Sequence, residues 1–233
     1  MNDILISIIV PVFNTEPWLT ECLDSLFDQS LSYERYEVIC INDGSTDKCP
    51  SILDTYAANH SNMRVFHQKN CGVSTAKNVG LNHAIGKYVW FVDSDDFIPK
   101  DILGEIADSL SNFETDELAI LPTSFIDGEV VTRFTNVKPE EYDRGLKNYL
   151  TTRIILRESI EKNNLRFNVN ISNQEDNVFY TILKHNLYHK IQLDRIGYFV
   201  RIRKGSLSHG GMTSERVVAS FITGAIDMKT LYE

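Results

Sequence analysis

Asp93, Asp95 and Asp96 place three carboxylates within four residues, directly after the apolar run Tyr88-Val89-Trp90-Phe91-Val92. Like charges this close repel, so the cluster is costly at the end of a core strand unless something offsets it. The Asp-Ser-Asp spacing of Asp93, Ser94 and Asp95 turns two hard oxygen donors toward one point. That suits Mg2+ or Mn2+, ions that keep waters and also bind a diphosphate. The same residue types also form Asx-turns and helix caps, so the triplet alone is equally a turn. A second polar cluster, Asn42-Asp43-Gly44-Ser45-Thr46-Asp47, follows another apolar run. Asp43 stands at the run's end, where a carboxylate could accept the N3–H of a uracil ring; Asp47 is better placed to cap the helix that follows. A third, Pro11-Val12-Phe13-Asn14, closes the first apolar run.

What positions these clusters is an alternation of elements. Residues 7–13, 36–42, 63–68 and 88–93 are rich in β-branched and aromatic residues and apolar on both faces, which predicts buried strands. Between them, Trp18, Leu19, Cys22, Leu23, Leu26 and Phe27 repeat with helical spacing, with Thr15 as N-cap and Pro17 in the first turn. Further helices carry Ile52, Leu53, Tyr56 and Ala57, then residues 73–84, then Ile102, Leu103, Ile106 and Leu110. Strand–helix repetition implies a parallel sheet covered by helices, and ligands of such sheets bind beyond the carboxyl ends of the strands. All three polar clusters fall on that edge.

After Leu110 the alternation fails. Asp127-Gly128 lies between two strand-like runs and predicts a hairpin, and Glu175-Asp176 opens an apolar-periodic helix carrying Val178, Phe179, Ile182 and Leu183. Acids favour helix N-termini, so that pair has a local explanation as well. No repeat, low-complexity segment or linker interrupts the chain. Residues 1–110 read as the regular α/β half and 111–233 as a second half of the same domain, elaborated for a partner.

Composition narrows the partners. The chain has 233 residues, 42% hydrophobic and 24% charged, with a net charge of −9 and no Lys/Arg cluster, which argues against nucleic acid. Cys22, Cys40, Cys49 and Cys71 form no CxxC pair, and Cys22 and Cys40 fall on apolar faces, as in a reducing cytoplasm. The apolar run before Pro11 is about six residues, too short to span a bilayer.

The runs SIIVPVFN, INDGSTD, GVSTAKNVGL, YVWFVDSDD and NQEDNVF, in this order between residues 4 and 185, resemble family 2 glycosyltransferases. That resemblance implies an inverting enzyme of the GT-A fold, a Rossmann-like sandwich with a mainly parallel central sheet, helices on both faces and a smaller acceptor-side elaboration; residues 1–110 would be its nucleotide-sugar-binding half and 111–233 its acceptor-side half. It implies a UDP-sugar donor held by Pro11, the Val12-Phe13-Asn14 backbone, Asp43 and Ser94, and Mn2+ or Mg2+ on Asp95 and Asp93, with Asp95 the more direct ligand. It implies a catalytic base in the Glu175-Asp176 pair, with Asp176 facing the acceptor and Glu175 orienting it. Arg203 in RIRKGSLSHGG would fold over the diphosphate, and His209 would complete the metal shell, though a His beside glycines is also an ordinary loop residue. Lys77 stands where the family usually carries Arg facing the nucleotide. It keeps the charge but not the planar fork, and a solvated helix face is the other reading of it.

The acceptor implied is a glycan or lipid-linked hydroxyl. UDP-glucose, UDP-galactose and their N-acetylated forms all fit as donors. A cytoplasmic protein is expected, at the inner face of the cell membrane with at most peripheral contact, and self-association stays open. The chain ends on a helix-like stretch without a stop signal, as in a truncated or short form. Two competing readings are a non-catalytic sugar-nucleotide or glycan-binding module and a haloacid-dehalogenase-type phosphatase. The second normally carries its acidic pair after the first strand, whereas here it follows the fourth.

Overall fold

The computed structural model describes residues 4–126, 129–131, 150–171 and 174–201. The first half runs β1 (Ile6–Val12), α1 (Glu16–Phe27), β2 (Tyr36–Asp43), α2 (Cys49–Asn59), β3 (Met63–Gln68), α3 (Val73–His83), β4 (Tyr88–Phe91) and α4 (Ile102–Asn112). The second half adds β5 (Glu117–Ile126), β6 (Glu129–Val131), β7 (Arg153–Leu156), α5 (Arg157–Lys162), α6 (Glu175–Leu183) and β8 (Lys190–Arg201).

One eight-stranded sheet unites both halves in the order β3-β2-β1-β4-β7-β5-β6, with β8 pairing β5. β3, β2, β1 and β4 are mutually parallel. β7 lies antiparallel against both β4 and β5 and splices the halves. The chain moves outward from β1 to β3 and then returns through α3 to β4 on the other side of β1. That reversal opens a crevice at the carboxyl ends of β1 and β4.

The apolar runs are continuous because the sheet is buried on both faces. Ile6, Ile8, Val10 and Val12 of β1 join a core with Leu19, Leu23 and Leu26 of α1 and Ile102, Leu103 and Ile106 of α4. Ile9, with Ile39 and Ile41 of β2, faces the opposite way and packs with Ala76 and Leu81 of α3 and Phe179 and Leu183 of α6. Cys22, Cys40 and Cys49 are buried and free, and Cys71 is exposed.

The second half departs from the expected pattern at two elements. The apolar residues 154–156 belong to antiparallel β7, and β8 has no counterpart in the sequence reading because register shifts against β5 break its alternation into Ile191/Leu193 and Ile196/Tyr198/Val200. β5 and β6 pair antiparallel as the hairpin reading requires, and Asp127-Gly128 lies outside the described residues.

Gly80 allows α3 to lie close on the sheet. A Cβ there would stand 2.3 Å from Cγ2 of Ile9 and 3.1 Å from Cδ1 of Ile41. Both neighbours belong to buried central strands, and the nearer atom is on a β-branched side chain with little freedom to yield. Gly80→Ala is therefore expected to destabilise the fold by about 1–3 kcal/mol despite the better helix propensity of Ala, read as a lower urea midpoint. An unchanged or raised midpoint would contradict this packing.

Candidate active site

Three loops meet at the crevice, and their own side chains bind them together. Asn14 takes a left-handed backbone (φ 52°), a conformation Asn tolerates. Its N–H donates to Oγ of Ser45 at 3.1 Å, and its Oδ1 accepts the Thr46 N–H at 2.8 Å. The Thr15 hydroxyl donates to Oγ of Ser94 at 3.0 Å, linking the β1 loop to the acidic loop. Thr15 thus holds the N-cap position of α1 without capping it through its side chain. Asp47 does that work from a distance: its Oδ2 accepts the Glu16 N–H at 2.9 Å and its Oδ1 the Cys49 N–H at 3.0 Å, so one carboxylate serves the starts of α1 and α2. Burial works against the ionised Asp47, but these bonds prevail and lower its pKa.

Asp43, buried at the end of β2, accepts from Nε2 of Gln68 at 2.7 Å and from the Cys71 and Gly72 N–H groups at 2.8 Å each. Its carboxylate therefore shapes the loop that leads into α3. Phe13 stands beside it on the same edge with 46% of its surface exposed.

The acidic loop after β4 is clamped by β8. The Asp93 N–H donates to the Tyr198 hydroxyl oxygen at 3.0 Å, Oδ1 of Asp96 accepts the Arg201 N–H at 2.7 Å, and Nε of Arg201 donates to the Asp95 carbonyl at 2.9 Å. Phe97 and Phe199 bridge through their backbones, and their rings stack at 4.7 Å. Asp96 is thus a buried anchor within the cluster. Burial, then the Asp93 and Asp95 charges, push its pKa well above the carboxylate range. Asp93 is raised to about 7, first by burial and then by Asp95, Asp176 and Glu175, with Lys77 opposing. Asp93 and Asp95 are only half-buried.

Among the described residues no three His, Cys, Asp or Glu side chains gather into a cation cage. The donor set here is instead two adjacent carboxylates at a crevice, and it fits a hard cation whose remaining positions go to water and diphosphate. Their mutual repulsion is the cost such an ion removes. His209 and Arg203 lie outside the described residues.

The second acidic group arrives on α6. Gln174, just before it, has a left-handed backbone (φ 64°), a strained state for this residue type. Glu175 and Asp176 then meet Lys77 of α3, whose Nζ donates to Oε1 of Glu175 at 3.0 Å and to Oδ1 of Asp176 at 2.5 Å. The Lys77 side chain is 2% exposed, against 13% and 26% for Glu175 and Asp176, so the solvated-face reading of Lys77 fails. Its ammonium lies 5.3 Å from the centroid of the Phe167 ring. Burial alone would lower the Lys77 pKa, but Asp176, Glu175 and Asp93 outweigh it and raise it. Asp176 is raised by burial, with Lys77 opposing and Glu175 reinforcing.

Two supports hold the pair in place. Beneath α6, Glu117 binds Nη1 of Arg153 at 2.6 Å and accepts from the Tyr180 hydroxyl at 2.9 and 2.8 Å. From α3, Ser74, Asn78 and Asn82, four residues apart, each bond the segment preceding α6. Asn78 makes two 2.8 Å bonds to the Phe167 backbone, Ser74 donates to the Ile171 carbonyl at 3.4 Å, and Asn82 accepts from Nε of Arg166 at 3.1 Å. Sequence reading missed Asn78 and Tyr198; Arg201 it placed only in the basic RIRKGSLSHGG segment, not on the acidic loop. The i, i+4 row of polar residues on α3 was a usable signal, whereas nothing local marked Tyr198.

The sequence profile of Glycosyl transferase family 2 matches residues 7–204. The chain belongs to glycosyltransferase family 2. It is 35% identical over 193 residues to the uncharacterized glycosyltransferase EpsJ of Bacillus subtilis, covering 75% of this chain and 54% of that protein. It is 33% identical to an uncharacterized glycosyltransferase of Haemophilus influenzae over 89% of this chain and 83% of that one. Among solved structures, S. aureus TarS 1-349 in complex with UDP-GlcNAc superposes with a TM-score of 0.81 at 26% identity, over 96% of this chain and 66% of TarS 1-349. The fold is accordingly that of the GT-A glycosyltransferases. The chain spans about half the length of EpsJ.

Within this family member, Tyr198→Phe tests the clamp between β8 and the acidic loop. It removes the acceptor for the part-buried Asp93 N–H and the hydroxyl's bond to the buried Asp96, and is expected to cost about 1–3 kcal/mol in urea unfolding. A change below about 0.5 kcal/mol, the usual size for a surface substitution, would show that the clamp is dispensable.

Proposed function

We propose that this protein is an inverting glycosyltransferase that moves a sugar from a UDP-sugar to a hydroxyl of a glycan or lipid-linked acceptor. The observation that carries this reading is the meeting of two separate acidic groups at one sheet edge. Asp93 and Asp95 follow β4, Glu175 and Asp176 open α6, and the second group is close enough to help raise the pKa of Asp93, after burial. The TarS structure contains UDP-GlcNAc, which makes a UDP-sugar the donor to test first.

In the proposed reaction the acceptor oxygen bonds to the anomeric carbon while the bond from that carbon to the β-phosphate oxygen breaks. UDP leaves with the electron pair, and the acceptor proton goes to a carboxylate. An acceptor hydroxyl is too weak an acid to ionise at neutral pH, so the base must take the proton as attack proceeds. Asp176 suits this role because it is the more exposed of its pair and its raised pKa makes it a stronger base than an ordinary carboxylate. Glu175 orients the acceptor. Asp95, with Asp93, would hold a Mn2+ or Mg2+ ion, which supplies positive charge to the leaving diphosphate. Pro11, the Val12-Phe13-Asn14 edge, Asp43 and Ser94 would line the donor subsite, and Arg203 and His209 would reach it from beyond the described residues. No described helix is long and apolar enough to cross a membrane. We propose a cytoplasmic location at the inner face of the cell membrane, with at most peripheral membrane contact.

UDP should bind more tightly with Mn2+ than with EDTA, and Asp95→Ala should abolish the difference. Metal-independent UDP affinity in the unaltered protein, measured by calorimetry, would overturn the ion's role. Asp176→Asn should preserve Mn2+-dependent UDP binding while sugar transfer falls about a hundredfold or more, as expected for loss of a general base. Near-normal transfer by that variant would move the base to Glu175. If no UDP-sugar yields UDP in the presence of Mn2+, the protein is a binding module.

A further inference from the structure

We propose that Lys77 is a positioning residue for the base: it holds the Asp176 carboxylate in place and acts on the reaction through that carboxylate, not as a contact to the nucleotide. This rests on the reading of Asp176 as base. The family's usual Arg would face the nucleotide, but here the ammonium is spent elsewhere. Nζ of Lys77 lies 3.0 Å from Oε1 of Glu175 and 2.5 Å from Oδ1 of Asp176, with only 2% of the side chain exposed.

The geometry around the ammonium fixes its direction. Phe167 places its ring face 5.3 Å from Nζ, and that ring is itself held, stacked on Phe179 at 4.1 Å and edge-on to Phe91 at 5.3 Å. Asn78, the residue after Lys77, grips the Phe167 backbone with two bonds of 2.8 Å. An ammonium confined between an aromatic face and two carboxylates has little freedom to swing toward a diphosphate.

The chemistry of the base makes this contact consequential. A carboxylate accepts a proton well only if one oxygen is aimed at the acceptor, and small misplacements of a reacting group cost large factors in rate. Lys77 occupies Oδ1 of Asp176. Among the described residues no hydrogen bond is made to Oδ2, the other oxygen, which is the one to receive the proton. Lys77 also keeps the buried pair of like charges compatible with ionisation, because it opposes the burial and the neighbouring Glu175 charge that both favour the neutral acid. Lys, a compact point charge on a flexible stem, can serve two carboxylates from one buried position.

The test is a double-variant cycle on the full chain. UDP release is measured with Mn2+ and whichever of UDP-GlcNAc, UDP-glucose or UDP-galactose the unaltered protein hydrolyses fastest. Lys77→Met is expected to lower kcat about a hundredfold, comparable to Asp176→Asn, while KM for the donor stays within about threefold. In the Asp176→Asn background, Lys77→Met should add no further loss, because a residue that acts only through the base has nothing left to act on. Lys77→Arg, which retains the charge and folds without an unpaired buried carboxylate, should recover at least about a tenth of the parent kcat.

Calorimetry of UDP with Mn2+ supplies an arm that needs no turnover. Affinity unchanged within about threefold in Lys77→Met supports the proposal, and a loss beyond about tenfold makes Lys77 a nucleotide contact and overturns it. Multiplicative losses in the double variant, or near-parent kcat in Lys77→Met while Asp176→Asn is inactive, overturn the positioning role and leave the base intact. Parent-like kcat in Asp176→Asn overturns the base reading instead, whatever Lys77→Met does.

Discussion

The Lys77 ammonium, 2% exposed, lies between the carboxylates of Glu175 and Asp176, and these residues come from chain positions almost a hundred apart. A buried charge without a partner costs several kcal/mol, so neither half of the contact is stable alone. Helix α3 must bring the lysine and α6 must bring the acids, and both must dock on the same face of the sheet. Much of the second half can be understood as the scaffold for that docking. Glu117, Arg153 and Tyr180 hold α6 from below, and Ser74, Asn78 and Asn82 hold its approach from the side.

The acidic loop solves a related problem by a different route. Its third carboxylate, Asp96, is withdrawn from the crevice and spent on the Arg201 backbone. That leaves Asp93 and Asp95 as the half-buried pair at the edge. Three like charges in one crevice would repel strongly. Turning one inward and anchoring it to β8 reduces the repulsion and fixes the loop at the same time. Asp93 remains raised, first by its burial and then by the neighbouring carboxylates, and both favour a cation that enters.

Polar cross-links between loops give the crevice its rigidity. Asp47 serves two helix starts, Asn14 and Thr15 bind the neighbouring loops, and Asp43 organises the entry to α3. Each interaction is modest by itself, roughly 0.5–1.5 kcal/mol net. Together they tie the loops to a sheet whose central strands β1, β2 and β4 are fully buried, so that loop geometry is set before any ligand arrives.

The sequence by itself determined the parallel half of the sheet, its helices, and the edge on which the acidic clusters lie. It could do so because β1, β2 and β4 are buried on both faces and write their burial as nearly continuous apolar runs, while the helices between them keep a 3.6-residue period. It also separated Asp47 as a cap from Asp43 at the strand end, and it opened α6 at Glu175. Only the tertiary structure decided what the polar residues touch. Lys77 reads locally as an ordinary helix-face lysine, and its burial depends on Phe167 and on acids almost a hundred residues away. β8 was missed because register shifts against β5 split its alternation into two short pieces, Ile191/Leu193 and Ile196/Tyr198/Val200, and it is held by pairing with β5 and by the Phe97–Phe199 bridge. Local pattern records burial and capping, which depend on near neighbours. Charge pairing across a sheet edge depends on where the chain returns, and no window of sequence contains it.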